Sequence, residues 1–203
     1  NANEGSENQP TGFGTQLGLA KRVLESKNLG NGTTQITFEF KLNNLGIHPI
    51  VSPEVSDRLD QVFAAPSTFT VNALKSNGSP ALNANYNGIG NNAQMLANNQ
   101  TLSIGESYTW SLTLSFNPNG ATVQKYKNSA LAVVKDSLNH VLCQDSSDAG
   151  DQPDSNNNGL ADELGENDPT EFIPNTDGPL NPTLNIPNAF SPNDDGTNDL
   201  FVI

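Results

Sequence analysis

Asp154, Asn156, Asn158 and Gly159 occupy positions one, three, five and six of the run Asp154-Ser-Asn-Asn-Asn-Gly-Leu-Ala-Asp-Glu163. That spacing is the D-x-[DN]-x-[DN]-G pattern of a calcium loop. Ca²⁺ takes about six to eight hard oxygens, and alternate side chains of a tight loop can point their oxygens inward around it. Glycine at position six permits the sharp turn. Leu160 at position seven would offer its backbone carbonyl, and Asp162 at position nine a carboxylate. Position twelve holds Gly165, where such a loop usually has a bidentate Glu; Glu163 is placed to substitute in a shorter loop. Two of the three spaced side chains are neutral Asn, so the expected affinity is weak, with Kd of order 10⁻⁴–10⁻³ M as in extracellular modules. Asp148 and Asp151 are near enough in sequence to complete or extend the set. The same run also reads as a solvated acidic linker, and the sequence leaves both readings open.

Other reactive residue types are sparse. Cys143 is the single cysteine, so no internal disulfide framework exists, and it reads as a small residue packed near a strand end. His48 and His140 are the two histidines, and nothing ties either to a nucleophile. No Ser-His-Asp arrangement, HExxH, zinc ligand set or phosphate loop is visible, so the chain is not expected to be an enzyme.

The charge is divided along the chain. Nine Lys and Arg and eight Asp and Glu lie within residues 1–135; fourteen acids and no Lys or Arg follow. A nearly neutral region followed by a polyanionic one predicts a boundary, placed here near Gln144. The net charge of −13 disfavours a nucleic acid partner, whose phosphates would be repelled. No apolar run is long enough to span a membrane as a helix. No leader is visible and the first residue is not Met, so the chain reads as a mature piece of something longer.

The elements that must position these residues read as strands. Ile36, Phe38, Phe40 and Leu42 alternate with Thr37, Glu39 and Lys41, and Tyr108, Trp110, Leu112, Leu114 and Phe116 alternate with Thr and Ser. Period two means one face buried and one wet. Leu17–Leu24 and the stretch Phe69, Val71, Ala73 give further strands, and Ala130–Val134 with Val141–Cys143 forms a hairpin around Leu138-Asn139. Asn occurs 30 times, which implies many tight turns with left-handed positions. The fold class expected is all-β: an immunoglobulin-like sandwich of about seven to eight strands, followed by an acidic loop segment and the first strand of a second small β domain. Trp110, in strict alternation, is a core residue on this reading; a sugar-stacking platform is its alternative.

Glu7-Asn-Gln-Pro-Thr-Gly-Phe13 and Glu166-Asn-Asp-Pro-Thr-Glu-Phe172 share E-N-x-P-T-x-F. A recurring connector is a mark of tandem modules. The organisation expected is therefore residues 1–12 as the end of a preceding repeat's linker, 13–144 as the sandwich, 145–185 as an acidic linker with a proline-rich extended end, and 186–203 as the start of another domain.

That last stretch contains Ile186, Pro187, Asn188, Ala189, Phe190, Ser191, Pro192, Asn193, Asp195, Gly196, Asn198 and Asp199. It resembles the opening of the gliding-motility-associated C-terminal domain of Bacteroidota, the type B sorting signal of the type IX secretion system. The resemblance covers about 18 residues. It implies export across the outer membrane by the type IX translocon and its associated proteins, and an extracellular, cell-surface location. Asn193, Asp195 and Asp199 could hold a cation there; turn chemistry around Gly196 explains them equally well. The preceding region resembles, more loosely, the Ig-like DUF11-type repeats of surface adhesins, through Leu19-Ala-Lys-Arg-Val23, Val55-Ser-Asp-Arg-Leu59 with Phe63, and Gly105-Glu-Ser-Tyr108. It implies a stalk or adhesin module with neighbouring repeats of the same polypeptide as partners. The alternative is a carbohydrate- or ligand-binding module working through exposed aromatics such as Tyr86 or Tyr126. The calcium-type loop resembles those of thrombospondin type 3 repeats, and Asp136-Ser137-Leu138 resembles this phylum's O-glycosylation signal, which would place a glycan on Ser137.

Overall fold

The computed structural model describes residues 14–121, 123, 125–163 and 165–175. The expected linker at 1–12 and the sorting-signal residues from Ile186 to Asp199 lie outside the described residues.

Strict alternation builds the main sheet. Strand β1 spans Leu17–Gly30 and β2 spans Thr33–Asn44. Short β3 (Ile50–Val51) and β4 (Glu54–Ser56) follow, then one helical turn, α1 (Leu59–Val62), and β5 (Thr68–Ser76). After β6 (Thr101–Leu102) come β7 (Ser107–Asn117), β8 (Tyr126–Asn128), β9 (Leu131–Lys135) and β10 (Val141–Ser146). Two brief strands close the described chain, β11 (Asp148–Ala149) and β12 (Thr170–Phe172). The large sheet has the order β11-β1-β2-β7-β5. Smaller sheets β10-β9-β4, β12-β8 and β3-β6 supply the remaining layers. The fold is all-β, an immunoglobulin-like sandwich, and the strands beyond the expected seven or eight are pieces of two or three residues.

β2 and β7 pair antiparallel in register, with Ile36 opposite Leu114, Phe38 opposite Leu112 and Phe40 opposite Trp110. Period-two side chains from both strands therefore share one face. All six of these residues are at most 2 % exposed. Phe40 and Trp110 stack with centroids 5.3 Å apart and planes 4° apart. Val55, Leu59, Phe63, Tyr126, Ala132 and Phe172 close the same core from the opposing elements. Among the described residues, five of the six non-glycine positions with left-handed backbone are asparagines: Asn31, Asn99, Asn119, Asn139 and Asn157. The abundant Asn thus serves turns, where a short amide side chain tolerates positive φ.

One expectation fails here. The boundary near Gln144 does not end the sandwich, because β10 runs through it to Ser146. β11 then pairs parallel with β1, Ala20 opposite Asp148 and Lys21 opposite Ala149. β12 pairs with β8, which seats Phe172 among the core aromatics 5.5 Å from Tyr126. The charge step had marked a boundary, yet Asp145 and Asp148 fold inward and hydrophobic Ala161 and Phe172 are buried. The segment 145–172 is therefore part of the body. The second E-N-x-P-T-x-F copy ends in this strand and is no free connector.

The closeness of that packing is visible at Gly18. A Cβ there would stand 2.6 Å from the Pro153 carbonyl oxygen and 3.0 Å from the Ala161 Cβ. Gly18→Ala should therefore lever the acidic segment off β1, costing roughly 1–3 kcal/mol by overpacking. The expected readout is a lower denaturation midpoint with new protease cleavage between residues 150 and 169. Unchanged protection would show that the segment does not rest on Gly18.

Candidate functional site

The loop from Asp154 to Glu163 is held by its own polar groups. The Asp154 carboxylate accepts from the Asn158 and Gly159 amides at 3.2 and 2.8 Å. Asn156 Oδ1 accepts from the Asn158 amide at 2.9 Å, and Asn158 Oδ1 from the Leu160 amide at 2.8 Å. The side-chain amides of Asn156 and Asn158 both donate to Glu163 Oε2, at 3.3 and 2.8 Å. Asp162 is drawn elsewhere and accepts from Asn167 Nδ2 at 2.9 Å. Of the expected calcium ligands the fold thus gathers Asn156, Asn158 and Glu163, keeps Asp154 on the loop's amides and turns Asp162 aside. Asn157 and Gly159 have positive φ, which makes the sharp turn.

A second group of oxygens lies beneath this loop. Asp145, Asp148 and Glu166 are 0, 4 and 6 % exposed. Asp145 Oδ2 accepts from the Leu19 amide at 2.5 Å, and Glu166 Oε1 from Ser155 Oγ and the Asn156 amide at 2.7 and 3.0 Å. The oxygens left without a partner are Asp145 Oδ1, both of Asp148, Glu166 Oε2 and Asn167 Oδ1. Burial pushes the Asp145 carboxyl up to about 7, aided by Asp162 and Glu166, while the Leu19 amide pulls it down. Burial pushes Asp148 up to about 8, with Asp145, Glu166, Asp154 and Asp168 adding repulsion. Nearby cations are engaged elsewhere: Arg22 pairs with Glu39 and, at 3.1 Å, with Asp151 on the surface. Buried anions without donors favour either protons or a hard cation. Among the described residues no group of three Asp, Glu, His or Cys side chains stands ready-made around a metal position.

A polar cluster that sequence reading missed sits under β1. Lys21, Asp57 and Asn128 are 0, 0 and 1 % exposed. Lys21 Nζ donates to Asp57 Oδ2 at 2.7 Å, and Asn128 Nδ2 donates to the same oxygen at 3.2 Å. The amine also stands 4.4 and 5.1 Å from the ring centroids of Phe38 and Phe40. Burial lowers the Lys21 pKa, and the Asp57 charge and hydrogen bond oppose it. A sequence signal was present. Leu17-x-Leu19-x-Lys21, Val55-x-Asp57-x-Leu59 and Tyr126-x-Asn128-x-Ala130 each place one polar residue in the inward phase of an alternating run.

Other expected residues fall as follows. Tyr86 and Tyr126 are 7 and 4 % exposed, so they are core residues and not the exposed aromatics of a binding surface. Their hydroxyls find partners inside, Tyr86 on the Asp57 carbonyl at 3.3 Å and Tyr126 on Ser67 Oγ at 3.0 Å. Trp110 is likewise core. Cys143 is half-buried, and burial pushes its thiol up to about 11. Ser137 is exposed in the β9–β10 turn, where Asp136 Oδ1 accepts from the Leu138 and His140 amides. Among the described residues no helix is long and apolar enough to cross a membrane.

No family model matches the chain, and no curated protein matches it. Three solved structures show distant likeness. A GH20 exo-β-N-acetylglucosaminidase from Vibrio harveyi aligns with 12 % identity and a TM-score of 0.38, over 68 % of this chain and 18 % of that one. The major pilin SpaD from Corynebacterium diphtheriae gives 13 % identity and 0.36, over 66 % and 33 %. The N-terminal domain of PorA gives 10 % and 0.30, over 66 % and 96 %. The chain spans less than a fifth of the Vibrio harveyi enzyme's length. Likeness at this level bears on no activity.

The raised carboxyls set a pH dependence. A folded-state pKa above the unfolded value means the native form holds protons that the unfolded chain has released. Stability is then greatest near and below the ordinary carboxylate range and falls as pH rises through about 7 to 8. In chelator, the melting temperature should drop between pH 5.5 and pH 8.5, conditions on either side of that window. A flat profile would contradict the burial of Asp145 and Asp148.

Proposed function

We propose that this chain is a structural spacer module of a large secreted bacterial surface protein, stiffened by calcium and exported by the type IX secretion machinery. The spacer reading is carried by the seam between the first strand and the acidic segment. β11 lies parallel to β1, and Lys21 O accepts from the Gly150 amide at 3.0 Å and from Thr170 Oγ1 at 2.7 Å. Pulling the start of β1 and the far end of β11 apart drives parallel neighbours in opposite directions. Their hydrogen bonds are then loaded together in shear and do not open one at a time. A module that transmits tension between neighbours needs such a seam, and the core behind it is filled with side chains.

Calcium is assigned to the same segment. The ion would draw on Asp154, Asn156, Asn158, the Leu160 carbonyl and Glu163 of the loop, and on the partnerless oxygens of Asp145 and Asp148 beneath it; Asp162, held by Asn167, stands outside this set. It would allow buried carboxylates to stay ionised and would relieve repulsion along the segment. At about 10 mM calcium and a Kd of order 10⁻⁴–10⁻³ M, ligation should stabilise by roughly 1–3 kcal/mol. Thermal melts at neutral pH should shift upward with CaCl₂ and return with chelator. No shift removes calcium from the function.

Export rests on the segment from Ile186, whose resemblance to the sorting signal is the support. Deleting Ile186 onward from the full-length protein should abolish surface display, measured by protease shaving of intact cells. Undiminished display would refute the sorting role. No catalysis on an external substrate is assigned to the chain.

A further inference from the structure

Lys21, Asp57 and Asn128 have more in common than an ion pair. An amine, a carboxyl and a carboxamide meet on one oxygen, Asp57 Oδ2, in a site closed to water. Two further atoms of the group are buried without partners, Asp57 Oδ1 and Asn128 Oδ1. As a purely structural cluster this is costly, since a buried carbonyl and a buried carboxyl oxygen both go unsatisfied. As a reaction site every feature has a use.

We propose that Lys21 and Asn128 join in an intramolecular isopeptide bond, formed by the chain itself with Asp57 as the proton-transfer group. In the apolar surroundings of Phe38 and Phe40 the ammonium passes a proton to Asp57, leaving a neutral amine and a neutral acid. Burial, which lowers the Lys21 pKa, favours that transfer. The Nζ lone pair attacks Cγ of Asn128. The protonated Asp57 polarises the Asn128 carbonyl oxygen, the partnerless atom that gains charge in the tetrahedral intermediate. Asp57 then relays a proton from Nζ to the departing nitrogen. The Cγ–Nδ2 bond breaks, ammonia leaves, and the Nζ–Cγ amide remains with Asp57 again protonated. One amine and one primary amide give one secondary amide and one ammonia, so no oxidant, cofactor or external reagent is needed. Asn128 is the electrophile because Asp57 lies between it and the amine, contacting both.

The placement gives the bond a consequence. It ties β1 to β8, so tension entering along β1 passes at Lys21 directly to Asn128 and bypasses residues 22–127. It also restricts the unfolded chain, which stabilises the fold as any long-loop cross-link does.

Intact-mass measurement of the purified folded chain tests this. The expected mass is about 17 Da below that of the sequence, the loss of one ammonia through covalent self-modification. Proteolysis should yield a branched peptide joining the segment around Lys21 to that around Asn128, with no tryptic cleavage after Lys21. Asn128→Ala and Lys21→Met should each restore the full mass, and Asp57→Ala should slow or abolish the loss. The wild-type measurement alone decides if these variants fail to fold. A folded wild-type chain at full sequence mass overturns the proposal. So does an ammonia loss confined to a linear peptide, as an Asn-Gly succinimide would give.

Discussion

The structure depends on enclosing the first half of β1. From Leu17 to Lys21 this strand is buried on both faces; β2 pairs with it antiparallel along that length, and β11 pairs parallel on the other edge at Ala20 and Lys21. The antiparallel partner comes by a tight turn at Asn31-Gly32. The parallel partner must come from the far side of the fold, because parallel neighbours cannot be joined by a hairpin. The acidic segment is therefore carried across β1, and Gly18 is the residue small enough to let it pass. The burial of Asp145 and Asp148 follows from that crossing.

Two kinds of buried charge result, and they are balanced differently. Lys21 is matched inside the fold by Asp57, with aromatic faces about the amine. Removing one partner would leave the other uncompensated, which is why such pairs weigh more when broken than when made. Among the described residues no cation pairs with Asp145 or Asp148, which share their region with Asp154, Asp162 and Glu166. Their charge must be met from outside, by protons or by a hard ion. The first cluster is closed and the second responds to its medium, although both lie against the same strand.

The long strands were legible because their burial is one-sided and their alternation strict. Ile36 to Leu42 and Tyr108 to Phe116 kept the faces that the pattern assigned, and the Asn-rich turns fell where left-handed backbone is needed. The acidic segment reads as a linker in sequence because composition reports what a segment would prefer in isolation. Asp145 and Asp148 are inward because β10 and β11 put them there, against their own solvation preference. Tyr86 and Tyr126 were ambiguous for a related reason: an isolated aromatic in a polar stretch carries no periodicity to say which way it points.

The sequence by itself determined the all-β class, the alternating strands β2 and β7, the reliance on Asn-rich turns and the location of the acid-rich loop, since each is a local pattern of period two or of turn chemistry. Only the tertiary structure decided which acids are buried, that residues 145–172 complete the sandwich, and that Lys21 meets Asp57 and Asn128. These partners lie 36 residues apart for the first pair and 71 for Asn128 with Asp57. Contacts across such separations follow from how strands cross and stack, and no local pattern encodes which inward-facing polar side chains will end up facing one another.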